Sequence, residues 1–272
     1  MLDFSACKVN IGLNVVEKRS DGFHNIETVF YPIEWHDALE VLETTENQEF
    51  KMSFSGSPIS GALEDNIVYK AYQIIKKEYS LPPIKVHLHK NIPMGAGLGG
   101  GSSNGASFIN LIDKTFHLNM PLATKTEIAK QLGSDCAFFI ESKPVFATEK
   151  GDVFQPLKIN LSHYYILIAY PNIHSNTKIA YGGVTPKQPK LSIKTIIETK
   201  PIEQWKALLV NDFEASVCKA FSEISSLKQT MYDVGAVYAS MSGSGSAVFG
   251  IFKERPKMSF DKGYSFFLQE PK

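Results

Sequence analysis

Along residues 8–15, Val9, Ile11, Leu13 and Val15 alternate with Lys8, Asn10, Gly12 and Asn14. A period of two sends successive side chains to opposite faces, so this spacing predicts a strand with Lys8 and Asn10 on one face. Lys18-Arg19-Ser20-Asp21-Gly22 reads as a turn, and Phe23 to Ile33, rich in β-branched and aromatic residues, as the returning strand. Leu39 to Leu42 and Phe50 to Phe54 predict further strands, and Asn66 to Lys76 a helix with Ile67, Ala71, Ile74 and Ile75 on its apolar side. Ile84, Val86 and Leu88 then alternate with Lys85, His87 and His89, the signature of a half-buried strand. Past residue 105 the period changes: Ala106, Ile109, Ile112 and Phe116 recur at helical spacing, with Ser102 or Ser103 as a natural N-cap.

The later pattern is mixed. Thr124-Lys125-Thr126-Glu127 has the form of a capping box opening a short helix that Gly133 stops. Pro144 to Thr148 predicts a strand, and the apolar run Tyr164 to Tyr170 a buried one. Gly182 to Lys190 reads as a mobile loop. Helical patterning covers Ile202 to Leu209 and Phe213 to Tyr232, and two strands, Val237 to Met241 and Ala247 to Phe252, flank Ser242-Gly243-Ser244-Gly245-Ser246. A β-rich start, mixed middle and α/β end predict an α+β protein of two layered parts, divided near Gln155 to Ser162.

Between the strand ending at Lys90 and the helix entered near Ser102 lies Asn91-Ile92-Pro93-Met94-Gly95-Ala96-Gly97-Leu98-Gly99-Gly100-Gly101-Ser102-Ser103. Glycines let backbone N–H groups approach an anion, and a helix start offers unpaired N–H groups with a partial positive charge, so a phosphate is the expected guest. Gly95-x-Gly97-x-x-Gly100 matches the dinucleotide spacing, but the acidic residue near the required distance, Asp113, falls inside the predicted helix. No Gly-Lys-Ser/Thr follows, so this is not a Walker-type loop. Cofactor and reaction stay open at this level.

With 43% apolar residues, 21% charged residues and a formal net charge of zero, the composition is that of an ordinary soluble globular protein and points to neither nucleic acid nor an anionic membrane as partner. Its apolar runs fall far short of a membrane span, and Met1-Leu2-Asp3 opens no signal sequence, so a cytoplasmic protein is expected. Cys7, Cys136 and Cys218, odd in number and widely spaced, argue against a disulfide framework or a zinc site. Cys136 beside Asp135 reads as a nucleophile or as a small buried thiol. Taken alone, Asp135 reads as a cap or turn residue and His24 as a surface residue, and His87 with His89 lacks a third metal ligand.

Four separated stretches together resemble the GHMP kinase superfamily. Pro93 to Ser103 resembles its central phosphate loop, and Met241-Ser242-Gly243-Ser244-Gly245 its C-terminal glycine loop. Lys8-Val9-Asn10 and Asp21-Gly22-Phe23-His24 are similar to those of members that act on a cytidyl-diphosphate-linked polyol. The resemblance implies a two-domain α+β fold, with an N-terminal ATP-binding domain like ribosomal protein S5 domain 2 over residues 1–155. A ferredoxin-like C-terminal domain would follow over 156–272, with the active site in the cleft between them. It implies an ATP-dependent kinase with Mg2+, acting as monomer or homodimer on a small molecule carrying cytidine diphosphate.

By position, the resemblance assigns catalysis to Lys8 and Asp135. It assigns the ATP phosphates to Pro93, Met94, Gly95, Ala96, Gly97, Leu98, Gly99, Gly100, Gly101, Ser102 and Ser103. It puts His24 at the cytosine edge and Phe23 and Tyr181 on the two faces of the base, with Asn10, Lys90 and Thr177 nearby. Magnesium is expected through a hydroxyl of Ser102 or Ser103 and water. This chain departs from the family pattern in having Phe23 where tyrosine is usual, and Thr148-Glu149-Lys150-Gly151 where Glu-Gly-Val-Gly is common.

Overall fold

The computed structural model describes all 272 residues. Its first half runs β1 (Leu2–Lys18), β2 (His24–Glu43), β3 (Phe50–Gly56), α1 (Ile67–Glu78), β4 (Ile84–Lys90), α2 (Gly100–Phe116), α3 (Leu122–Leu132) and α4 (Cys136–Glu141). Next come β5 (Val145–Thr148), β6 (Val153–Pro156), β7 (Tyr165–Tyr170), α5 (Thr177–Gly182) and α6 (Ile193–Thr199). The chain closes with α7 (Trp205–Leu208), α8 (Glu214–Ala220), α9 (Ser222–Asp233), β8 (Tyr238–Met241), β9 (Val248–Phe252) and β10 (Ser265–Gln269). Two compact units share these elements. One holds Met1–Cys7, Glu34–Pro93 and Gly99–Lys143, and the other Lys8–Ile33, Met94–Leu98 and Pro144–Lys272.

In the first unit β3 lies parallel to β4, Phe50 opposite Ile84 through Gly56 opposite Lys90, and the crossover between them carries α1. β4 is antiparallel to β2, from Ala38 opposite His89 to Glu43 opposite Ile84. The Asn66 side chain caps α1 by accepting the Val68 N–H at 2.9 Å, and Val68, Ala71, Tyr72 and Ile75 form its buried stripe. Phe50 anchors the core, its ring 4.6 Å from Tyr72 and 6.5 Å from the wholly buried Phe108 of α2.

Two expected helix starts differ from those observed. α2 begins at Gly100, one residue after Gly99 in the left-handed region, and Ser102 and Ser103 lie inside its first turn. Gly99 makes that entry possible without a side-chain cap, and its carbonyl accepts the Ser103 N–H at 2.9 Å. α3 starts at Leu122 behind Pro121, so Thr124 is helical and the predicted capping box does not form; Thr126 Oγ1 bonds back to the Leu122 carbonyl at 2.8 Å.

In the second unit β2 also pairs antiparallel with β5, Thr28 opposite Ala147, and β5 with β6. A separate antiparallel sheet has the order β10-β7-β9-β8, in which β8 and β9 flank the Ser242 to Ser246 loop. Its core gathers Leu167, Ala169, Met241, Val248 and Phe252 from the sheet with Val217, Ile224, Leu227 and Met231 from α8 and α9. The strand predicted over residues 8–15 is part of a much longer β1, and from Lys8 to Leu13 both of its faces are buried. Phe23 to Ile33 and Leu39 to Leu42 join within one β2. The long helix expected from Phe213 divides where Phe221 becomes extended. α4, α5, α6, β6 and β10 were not predicted; all are short, and periodicity needs length to register. No helix is long and apolar enough to cross a membrane.

Phe108 fills the centre of the first unit's core with no exposure. Phe108→Ala should therefore lower unfolding stability by about 3–5 kcal/mol, read from the urea midpoint with an unchanged m-value.

Candidate functional site

The glycine loop is built on an alternation. Gly95, Gly97 and Gly99 take φ of +71°, +82° and +69°, a region costly for L side chains, while Ala96 and Leu98 between them are plugged into the protein at 1% exposure. Two buried apolar anchors thus hold a backbone whose intervening residues must be glycine.

Within the second unit the loop segment Met94–Leu98 meets the C-terminal glycine loop backbone to backbone. A Cβ on Gly97 would lie 2.0 Å from the Ser242 carbonyl oxygen, and one on Gly245 would lie 2.2 Å from the carbonyl carbon of Ala96. The Ala247 N–H donates to Ala96 O at 3.1 Å, and Ser242 Oγ to Gly97 O at 3.0 Å. Asn211 holds the second loop from behind, its amide donating to the carbonyls of Met241 and Gly243 at 2.9 Å each.

Lys8 enters the same cluster from β1. Its side chain is 3% exposed; Nζ donates to Asn10 Oδ1 and, at 3.1 Å, to Gly97 O, and lies 4.9 Å from the centre of the Phe30 ring. Asn10 is oriented in turn by Thr28, to whose hydroxyl its amide donates at 3.0 Å, and the Asn10 N–H donates to Ser242 Oγ at 3.3 Å. The structure therefore brings together Lys8, Asn10, Gly97 and the Ser242 loop. His174, which the sequence reading passed over, also belongs here: a Cβ on Gly95 would lie 2.6 Å from its Nδ1. It follows the Pro171-Asn172 turn in a short polar stretch, with no periodicity to mark it.

In the first unit, Gly99 to Ser103 form the entry to α2. A Cβ on Gly101 would meet open space, whereas one on Gly100 would lie 2.9 Å from Lys90 Nζ. The first turn of α2, a helix of 17 residues, leaves its unpaired N–H groups at that opening. Asp135 is half-buried at the N-cap of α4, where its carboxylate accepts Ser134 Oγ at 3.3 Å. Burial pushes the neighbouring Cys136 thiol up to about 11, against a hydrogen bond with Ser102. It is protonated at neutral pH, a packing thiol rather than a nucleophile. Lys90 is 3% exposed and its ammonium is paired with the carboxylate of Asp37, itself wholly buried.

The aromatic residues line a cavity of about 300 Å³ in the second unit, with Phe23, His24, Lys150, Thr177, Lys178 and Tyr181 in its wall. The turn leading into it is closed by the Arg19 N–H donating to Phe23 O at 2.8 Å, and the Phe23 N–H donates to Asp21 Oδ1 at 3.1 Å. His24 and Tyr181 stack on each other, centroids 4.6 Å apart at 26°, and Tyr181 is braced edge-on by Phe213 at 4.7 Å. Phe23 is 60% exposed with the Lys150 ammonium 5.4 Å from its ring centre. Thr177 opens α5 behind the Asn176 cap. Desolvation, helped by the charge of Lys18, lowers the His24 pKa below 6.5, so the imidazole is neutral at pH 7 with one donor and one acceptor nitrogen.

Two anion-compatible glycine loops, a buried lysine and a separate aromatic pocket are the parts of a small-molecule phosphotransferase. The comparisons with known proteins agree. The family model described as GHMP kinases N terminal domain matches residues 66–143, and that described as GHMP kinases C terminal matches 195–260. The chain belongs to the GHMP kinase family, whose members are ATP-using kinases.

More narrowly, it is 47% identical over 258 residues to the 4-diphosphocytidyl-2-C-methyl-D-erythritol kinase of Cytophaga hutchinsonii, covering 94% of each chain. It is 43% identical to the enzyme of the same name from Bacteroides fragilis, covering 98% of each. A crystal structure of 4-(cytidine 5'-diphospho)-2C-methyl-D-erythritol kinase superposes with a TM-score of 0.75 at 27% identity, covering 92% of this chain and 90% of that one.

Two tests follow from this geometry. Gly97→Ala combines a left-handed backbone with a Cβ on the Ser242 carbonyl, so it should lose at least about 2 kcal/mol in thermal or urea unfolding. In an NMR titration the His24 ring should take up its proton only as the pH falls below 6.5.

Proposed function

We propose that this chain transfers the terminal phosphoryl group of ATP to the 2-hydroxyl of 4-(cytidine 5'-diphospho)-2-C-methyl-D-erythritol, in the non-mevalonate route to isoprenoid precursors. The observation that carries the substrate is the aromatic pocket of Phe23, His24 and Tyr181, in a chain so similar to enzymes named for that substrate. A neutral imidazole suits the donor-and-acceptor edge of cytosine, and the rings of Phe23 and Tyr181 offer stacking surface for the base. Opening the His24–Tyr181 stack would make room for it. Asn10 and Thr177 are assigned to the remainder of the substrate. The division into an ATP-binding part over 1–155 and a C-terminal part over 156–272 is kept within this proposal, one family model falling on each side.

In the step itself, the substrate oxygen forms a bond to the γ-phosphorus as the bond from that phosphorus to the bridging oxygen of ADP breaks. ADP leaves with the electron pair, and the hydroxyl proton passes to the carboxylate of Asp135. Phosphoryl transfer asks mainly for positioning and charge stabilisation. Lys8, held by Asn10 and Gly97, supplies a fixed positive charge. The amides of Gly95 to Gly101 and the start of α2 hold the nucleotide phosphates, and the open space beside Gly101 fits an anion there.

Magnesium, accompanying ATP, would neutralise charge on the phosphates. On this reading its protein ligand would be a hydroxyl of Ser102 or Ser103, with water completing the shell. The enzyme is placed in the cytoplasm.

An ADP-release assay tests the assignment. Turnover is expected with the cytidyl-linked methylerythritol, and turnover with homoserine or mevalonate in its place would overturn the substrate. Asp135→Asn and Lys8→Met should each lower kcat on the order of a hundredfold or more while the protein stays folded; full turnover in Asp135→Asn would remove it as the base.

A further inference from the structure

Asp37 is among the buried charged groups that the proposed chemistry leaves unused. Asp37, on β2, has no solvent exposure, and its carboxylate is surrounded by donors. Oδ1 accepts the backbone N–H groups of Asn91 at 2.7 Å and Ile92 at 2.8 Å. Oδ2 accepts the Lys90 ammonium and, at 2.9 Å, the side-chain amide of Asn104. A carboxylate offers about four acceptor sites, so these four donors saturate it, and Asp37 has no capacity left for a ligand.

The origin of the donors matters. Lys90 ends β4, Asn91 and Ile92 lead directly into the glycine loop, and Asn104 is in α2 just after the loop. The cluster is cross-braced: Asn104 also donates to Ser5 Oγ at 2.9 Å, and Lys90 Nζ reaches Asn104 Oδ1 at 3.5 Å. The ammonium sits directly beneath the first residue of α2, close enough that a Cβ on Gly100 would touch it at 2.9 Å. One carboxylate therefore fastens both flanks of the loop and sets the direction in which α2 leaves it. A buried ion pair of this kind seldom adds stability over apolar residues of the same volume, so its presence calls for a reason other than stability.

We infer that Asp37 is a positioning residue for the nucleotide: by tying the end of β4 to the start of α2 it fixes the width of the glycine loop and so sets ATP affinity without touching ATP. Lys90 acts in the same cluster, as the countercharge of Asp37. The inference rests on the reading of the loop as the ATP cradle.

Calorimetric titration of the full chain with ATP, and separately with CDP as a probe of the aromatic pocket, tests it. In Asp37→Asn the carbonyl oxygen can still accept from Asn91 and Ile92, but the new amide faces the Lys90 ammonium and the Asn104 amide, donor against donor. ATP affinity should fall about tenfold or more, the scale of a lost charge-assisted hydrogen bond, with CDP affinity within about twofold of the parent. In Asp37→Asn/Lys90→Met the ammonium is gone and Asn104 can turn its oxygen to the new amide, so ATP affinity should return to within about threefold of the parent.

Asn104→Ala removes a single donor and serves if Asp37→Asn does not fold. It should weaken ATP by about threefold and leave CDP unchanged. Variants that lose thermal stability yet bind ATP as the parent does would overturn the inference and leave the ATP cradle standing. A parent protein that binds CDP and no ATP would overturn the cradle and the inference with it.

Discussion

The close approach of two backbones governs the candidate site. Gly97 and Gly245 let the central loop and the β8–β9 loop touch where any side chain would collide, and hydrogen bonds from Ser242 and Ala247 lock the contact. Lys8 is held by the Gly97 carbonyl that this contact fixes, and Asn10 by Ser242, so the position of the Lys8 ammonium depends on the absence of two side chains. The alternation of left-handed glycines with buried Ala96 and Leu98 does the same for the loop itself. A backbone pinned this way pays its ordering entropy in folding, so little remains to be lost when an anion arrives.

The polar groups around the loop are each fixed by a further layer. Thr28 orients Asn10, Asn211 holds the Ser242 loop, and Asp37 with Asn104 holds the flanks of the loop in the first unit. The aromatic pocket is built differently. Phe23 is largely exposed, and His24 and Tyr181 cover each other rather than an open slot. The glycine loop is thus held rigid by its packing, whereas the aromatic pocket is filled by two of its own rings.

Much of this was legible in the chain because the signals are local. The alternation around Lys8, the Asp21-Gly22 turn, the glycine run and the Ser242 to Ser246 loop each declare their geometry within a few residues. Their convergence was supplied by family resemblance, since neither periodicity nor spacing can bring residue 8 to residue 97. Asp37 shows the limit most clearly: it sits in Trp35-His36-Asp37-Ala38, a stretch with no motif, and its side-chain partners lie 53 to 67 positions away. His174 went unread for a similar reason, as its importance comes from Gly95 and not from its neighbours. Helix starts failed where glycine or proline backbone geometry replaced side-chain capping, at Gly99 and Pro121.

The central claim is that one loop holds the phosphates of ATP while a separate aromatic pocket holds the cytidyl group. A crystal structure of the full chain with a non-hydrolysable ATP analogue and CDP tests it most directly. The analogue's phosphates are expected on the amides of Gly95 to Ser103, and the cytosine between Phe23 and Tyr181 with its edge on His24. Phosphates bound away from that loop, or cytosine outside that pocket, would contradict the account.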